Sequence, residues 1–175
     1  MTNTATPKRE DPATRPKTHE LSGFPVTVQH ILAPTDLTAD ARKGVRYATV
    51  LASHFHAKLT ILRVIEARRV LDYVIGNPLP EAARQELQVA EQKLEILLEE
   101  VKQVYREADA TVVIGNVSAQ IVDLAKMLNS DLIVLSTHNY PWFKRLMTGS
   151  DAEKIARHAP CPILIVHQSE HDFVG

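Results

Sequence analysis

The 175 residues of the chain suit a single domain, and a hydrophobic content of 45% is enough to build a core. The 20 basic and 21 acidic side chains are interspersed and leave a net charge of −1. This balance argues against a dedicated nucleic-acid-binding face and against a basic helix on a membrane surface.

The cysteine count, the apolar runs and the terminal segments indicate where the protein is located and where its domain begins and ends. Cys161 is the only cysteine, which excludes an intramolecular disulfide and a cysteine-rich zinc site. The apolar runs are too short to cross a bilayer, and the first 20 residues lack a signal-peptide core. We expect a cytoplasmic protein with a disordered tail at 1–24, one domain at 25–168 and a short tail at 169–175.

Short β-rich runs alternate with helical periods along the chain. The pattern predicts a first strand at 28–33, closed by Pro34, and then a helix that follows Thr38 and has Asp40 in its first turn. Further strands are predicted at 58–64, 110–114, 131–135 and 162–166, with helices at 81–108, around 121–128 and at 150–158. The apolar stripe of the long helix includes Val104 and Ala108.

Four strand–helix pairs followed by a fifth strand predict an α/β fold. We expect an open, doubly wound, five-stranded parallel sheet with right-handed crossovers and helices on both faces. With the strand order 3-2-1-4-5, the winding reverses between strands one and four. Ligands bind at such a reversal, which lies between the loops 33–38 and 136–150.

Several enzyme classes are disfavoured by missing motifs. The loop after the first strand has no Gly-x-Gly-x-x-Gly pattern, and neither a P-loop nor a Gly-x-Ser-x-Gly elbow is present. The histidines are scattered, which is typical of structural or surface residues, and Cys161 has no activating base nearby in sequence. No catalytic constellation and no metal cluster is visible, so the sequence assigns no reaction.

The loop 136–150 has features of an anion site. Gly149 and Ser150 return the chain to a helix N-terminus, where free backbone N–H groups favour phosphate, and Lys144 and Arg145 add positive charge. A structural interpretation stays open beside this one. Ser150 and Glu153 form a capping box that would explain Ser150 without a ligand.

Four segments carry a resemblance to a known family. The segment Gly-Ser-Asp-Ala-Glu-Lys-Ile-Ala-Arg-His-Ala-Pro-Cys-Pro-Ile-Leu-Ile-Val at 149–166 is similar to the C-terminal signature of the universal stress proteins. Ile-Leu-Ala-Pro-Thr-Asp at 31–36 resembles their first strand, and Asp-Leu-Ile-Val-Leu-Ser-Thr-His at 131–138 resembles their fourth. Gly115 after the third strand also fits. The resemblance spans about 28–167.

The resemblance implies the order 3-2-1-4-5, a homodimer formed through the last strand, and an adenine nucleotide such as ATP with Mg²⁺. In the ATP-binding branch of the family, the positions of Asp36 and the Val64 backbone hold adenine. A glycine-rich loop, here Ser136, Asn139, Gly149 and Ser150, wraps the ribose and phosphates. The cofactor-binding candidates are therefore Pro34, Thr35, Asp36, Val64, Gly115, Ser136, Thr137, Asn139, Gly149 and Ser150.

The loop departs from the ATP-binding pattern at its centre. Asn139 replaces a glycine, Pro141 lacks an N–H donor, Trp142 is bulky, and Asp151 puts a carboxylate beside the expected phosphates. Two functions stay open. The chain is a small regulatory or protective domain that binds ATP, or it is a nucleotide-free homodimeric interaction protein with an unknown protein partner. An enzyme of the adenine-nucleotide α-hydrolase type is disfavoured, because 33–36 is not a Ser-Gly-Gly pyrophosphate loop.

Overall fold

The computed structural model describes residues 26–39, 41–66, 81–137 and 151–167. The elements of this part of the chain, in order, are β1 (His30–Thr35), α1 (Arg42–Phe55), β2 (Lys58–Glu66), α2 (Glu81–Val104), β3 (Ala108–Gly115), α3 (Val117–Met127), β4 (Leu132–Thr137), α4 (Asp151–His158) and β5 (Ile163–His167). The two expected tails, Asp40 and the loop 138–150 lie outside the described residues.

The five strands form one parallel sheet in the order β3-β2-β1-β4-β5. Helices α1 and α2 pack on one face, in a core with Ile31 and Ile61. Helices α3 and α4 pack on the other face, in a core with Leu32 and Leu62. The predicted doubly wound α/β fold, with its strand order and its helices on both faces, is therefore confirmed.

Several element boundaries differ from the prediction, and two of the differences have a clear structural reason. Pro34 lies inside β1, in register with Leu62 of β2, and does not end the strand. The long helix stops at Val104, which is 76% exposed, and Ala108 begins β3. The apolar periodicity was misleading at Ala108, because that residue is buried in the sheet core rather than on the helix.

The start of α1 is capped from a distance. Its N-cap residue is Ala41, which has no capping side chain, and the Oγ1 of Thr38 accepts a hydrogen bond from the Ala41 N–H at 3.3 Å. The residue that the sequence places before the helix thus satisfies one of the donors at its N-terminus.

A buried histidine joins three elements at the amino edge of the sheet. The ring nitrogens of His30 lie 2.9 Å from the Leu128 carbonyl and 2.8 Å from the Oγ1 of Thr60. Because a carbonyl can only accept, Nδ1 donates to Leu128, and in the neutral ring Nε2 accepts from the Thr60 hydroxyl. His30 is therefore a structural residue, as expected for a histidine outside a cluster.

In the described residues, no helix combines the length and the apolar character needed to span a bilayer.

Candidate functional site

The central strands β1 and β4 are paired at their amino ends. Their register runs through Ile31–Leu132 and Leu32–Ile133, whereas the β1–β2 ladder continues to Thr35. The His30 carbonyl accepts from the backbone N–H of Asp131 on the β4 side, so alternation points the backbone of Pro34 to the same side. Since proline has no N–H, it cannot extend this ladder. The carboxyl ends of β1 and β4 thus border an opening at the strand-order reversal.

The loop after β1 is fixed by its own side chains. The Oγ1 of Thr35 accepts from the Leu37 N–H at 3.1 Å, and the Oδ1 of Asp36 accepts from the Thr38 N–H at 2.9 Å and from its hydroxyl at 2.7 Å. Leu37 has a φ of 72°, an uncommon conformation for this residue type. In the described part of the chain, the other carboxylate oxygen of Asp36, Oδ2, has no hydrogen-bond partner.

The carbonyl of Val64 opens towards this loop. The backbone N–H of Lys58 donates to the Gln29 carbonyl beside β1, and the backbone N–H of Leu59 donates to the Glu107 carbonyl beside β3. Alternation along β2 therefore directs the backbone of Val64 towards β1. The registered β1–β2 ladder ends one residue earlier, at Thr35–Arg63, and the N–H of Leu37 is used by Thr35. Asp36 and the Val64 carbonyl thus present acceptors from two adjacent strand ends.

Ser136 lies on the other side of the opening and is buried in β4. Helix α1 passes very close to it, since a Cβ placed on Gly44 would lie 2.9 Å from the Cβ of Ser136. Thr137 is the last residue of β4, in register with His167. The predicted residues Asn139, Gly149 and Ser150 lie outside the described residues.

Gly115 stands apart from the other predicted positions. It ends β3 in register with Glu66, so β2 separates it from the Asp36 loop. A Cβ at this position would lie 2.7 Å from the Cγ of Gln120, which gives the glycine a packing reason. The structure thus brings Pro34, Thr35 and Asp36 together with Val64, and places Ser136 and Thr137 across the opening.

Arg63 is a site residue that the sequence pattern did not indicate. It lies in register with Thr35, on the face of β2 that also carries Ile61. Its Nε is buried and has no hydrogen-bond partner. Burial lowers the pKa of the guanidinium, and the opposing charges of Asp36 and Glu86 raise it. A charged residue at an inward position of a buried strand was the signal in the sequence that could have identified it.

The groups near the opening between β1 and β4 differ in their chemistry. Burial, with a smaller contribution from Asp131, raises the pKa of the Cys161 thiol, which disfavours the nucleophilic thiolate. Among the described residues, no group of three or more His, Cys, Asp and Glu side chains could hold a metal ion. The Asp36 carboxylate, the Val64 carbonyl and the Arg63 guanidinium together offer a directional set of acceptors and donors.

Comparison with known proteins decides the family. The profile described as "Universal stress protein family" matches residues 27–167. The chain belongs to the universal stress protein family. A putative universal stress protein of Staphylococcus aureus (strain USA300) is 28% identical over 155 residues, which cover 83% of this chain and 87% of that protein. A putative universal stress protein of Staphylococcus aureus (strain NCTC 8325 / PS 47) matches to the same extent.

Solved structures of universal stress proteins share the fold. UspA from Lactobacillus plantarum aligns with a TM-score of 0.66 and 24% identity, over 81% of this chain and 99% of that one. A universal stress protein in complex with cAMP aligns at 0.59 with 19% identity, over 82% and 100%. The Archaeoglobus fulgidus protein in complex with dAMP aligns at 0.57 with 15% identity, over 79% and 97%. At these identities the likeness concerns the fold.

Proposed function

We infer that this universal stress protein is a small regulatory or protective domain that binds an adenine nucleotide at the opening between β1 and β4. One observation carries the proposal: the Oδ2 of Asp36 and the Val64 carbonyl are two hydrogen-bond acceptors that the described residues leave available, at adjacent strand ends. The amino group of adenine has two N–H donors and can satisfy both. The cAMP and dAMP complexes of two proteins with this fold support the choice of adenine.

The phosphates would extend from the base across β1 towards β4. We assign them to Ser136, Thr137, Asn139, Gly149 and Ser150, the positions that the family resemblance indicates, with Pro34 and Thr35 on the near side and Gly115 at the edge. Mg²⁺ would neutralise part of the phosphate charge. Helix α4 begins at Asp151, so its N-terminus follows the Gly149–Ser150 pair and favours an anion there.

Calorimetric titration with ATP and Mg²⁺ tests the proposal. Asp36→Asn is the sharpest variant, because the amide oxygen still accepts from Thr38 while an NH₂ donor replaces the acceptor Oδ2. We expect it to weaken ATP binding about tenfold or more, the effect of losing a charge-assisted hydrogen bond. Asp123→Asn, an exposed acid on α3, is the matched control and retains the wild-type affinity. A flat wild-type titration at millimolar ATP would refute nucleotide binding and favour the nucleotide-free interaction protein.

We also infer a homodimer through β5. This strand is the last in the sheet order, and its central residue, Ile165, is 41% exposed. An antiparallel pair of β5 strands centred on Ile165 would match Leu164 with Val166 of a second copy and would cover an apolar sheet edge.

A further inference from the structure

The charge and position of Arg63 are unusual for a residue of a central strand. It lies in register with Thr35 on one side and with Val112 on the other, on the sheet face covered by α1 and α2. Thr35 immediately precedes Asp36. The Arg63 side chain is near enough to Asp36 for their charges to interact, and Asp36 is the acceptor that the proposed function assigns to adenine.

Nothing in the described residues holds this guanidinium. Its Nε is buried without a partner, and neither a hydrogen bond nor an ion pair ties its other nitrogens to the described part of the chain. A buried donor that stays unsatisfied is costly, so its presence calls for an acceptor from elsewhere. A side chain without anchoring bonds can also turn towards such an acceptor at little cost.

The charges around Arg63 favour a neutral acceptor over a phosphate. The negative charges that face it are Asp36, at the end of β1, and Glu86, in α2. Two carboxylates around one guanidinium leave the surroundings net negative, which repels an anion. The phosphates are also expected at β4, two strands and about 10 Å away from β2. The acceptor that suits Arg63 is therefore a ring nitrogen of the base.

We propose that Arg63 and Asp36 read one edge of adenine as a donor–acceptor pair, with Arg63 donating to N7 and Asp36 accepting from the N6 amino group. The inference rests on the proposed nucleotide site and adds a residue that sets base specificity. Adenine presents an acceptor at N7 beside a donor at N6, whereas guanine presents acceptors at both N7 and O6. Guanine would place O6 against the Asp36 carboxylate, so the pair discriminates against it.

The test compares ATP with 7-deaza-ATP, which lacks the N7 acceptor, on the wild-type protein and on Arg63→Met. We expect 7-deaza-ATP to bind the wild type about tenfold to a hundredfold more weakly than ATP, as for a lost hydrogen bond to a charged donor. Arg63→Met should weaken ATP by a similar factor and bind both nucleotides equally. Arg106→Met, an exposed arginine at the opposite end of the sheet, is the control and should keep the wild-type difference.

GTP supplies a second readout, because Asp36→Asn should shift the base preference from ATP towards GTP. Asp36→Asn replaces an acceptor with a donor, so its NH₂ and the Arg63 guanidinium together match the O6 and N7 acceptors of guanine. We expect the ratio of ATP to GTP affinity to fall at least tenfold in this variant.

The outcomes separate the two proposals. If the wild type binds no ATP, the proposed function fails and this inference fails with it. If the wild type binds ATP but Arg63→Met binds it as tightly, only the role of Arg63 is refuted. Equal binding of ATP and 7-deaza-ATP by the wild type also refutes that role, and this comparison holds even if Arg63→Met does not fold.

Discussion

Gly44 of α1 and Ser136 of β4 approach so closely that a Cβ on Gly44 would lie 2.9 Å from the Cβ of Ser136 and 3.2 Å from its backbone nitrogen. Any other residue at position 44 must push the helix from the sheet or shift β4. The contact lies beside the proposed nucleotide site, since Ser136 begins the segment assigned to the phosphates. Packing of α1 and the geometry of the site are therefore linked at one glycine.

Gly44→Ala should destabilise the protein even though alanine is the better helix former. The helical preference for alanine contributes about 1 kcal/mol, whereas overpacking at a buried contact costs about 1–3 kcal/mol. We expect a net loss of about 1 kcal/mol in the free energy of unfolding, measured by urea denaturation.

A double variant, Gly44→Ala with Ser136→Gly, tests whether the contact with Ser136 causes the loss of stability. Removing the Ser136 Cβ should recover part of the loss, while the close backbone nitrogen keeps the recovery incomplete. Ser53→Ala, on the exposed side of the same helix, is the control for helical preference. If Gly44→Ala is as stable as the wild type or more stable, α1 adjusts its position freely and the contact with Ser136 is unimportant.

His30 and Thr60 should behave as a coupled pair. His30→Leu leaves the Thr60 hydroxyl and the Leu128 carbonyl without the partners at 2.8 and 2.9 Å, at a cost of about 1–3 kcal/mol. Adding Thr60→Val removes one of the stranded groups, so the double variant should be more stable than the sum of the single losses predicts. Denaturant titrations of the four proteins give the coupling free energy, and strictly additive losses would contradict the contact.

His56 offers a site where glycine should stabilise the fold. It ends α1 with a φ of 55°, and it is exposed, so its side chain adds little packing to offset the strain. His56→Gly should raise the unfolding free energy by about 1 kcal/mol. Asn129→Gly, at a φ of 50°, should gain less because asparagine tolerates this conformation. His54→Gly, inside α1, is the opposite control and should lose roughly 0.3–0.5 kcal/mol, because glycine is a poorer helix former than histidine. A loss of stability in His56→Gly would refute the strain at position 56.

The β5 interface predicts a charge-sensitive dimer. Ile165→Glu places two carboxylates opposite each other in an antiparallel pair, so the variant should sediment as a 19.5 kDa species while the wild type sediments as a dimer. Val104→Glu changes a 76% exposed residue on α2 and should remain dimeric. A monomeric wild type would rule out the homodimer, and a dimeric Ile165→Glu would move the interface elsewhere.

Much of the fold was accessible from sequence because each strand carries a strong local pattern. The residues Ile133, Val134 and Leu135 are buried on both faces of the sheet, as their continuous apolar run predicted. Periodicity failed where two elements meet: Ala108 is apolar and buried as a strand residue, so the helical pattern simply continued through the turn that precedes it. Hydrophobicity reports burial and does not distinguish which element buries a residue.

The strand order, and with it the place where the ends of β1 and β4 meet, could be predicted from the sequence, whereas the contacts found there could not. Asp36 and Val64 come together because chain order and parallel topology place their strand ends side by side. The charge environment of Arg63 depends on Asp36 and Glu86, which lie on other elements. The close packing at Gly44 likewise depends on Ser136 of β4. Such partners are distant in sequence, so the spacing of residues along the chain does not predict these contacts.

In the described strands, only two register pairs, Ile31–Leu132 and Leu32–Ile133, join the strands β3-β2-β1 to the strands β4-β5, and α1 packs against strands of both groups. A ligand that binds to the carboxyl ends of both groups of strands would increase the protection of their amides from hydrogen exchange, without a change in the shape of the protein. Ligand binding would then change the local stability of the β1–β4 pairing, and a partner protein bound across both groups of strands could respond to that change.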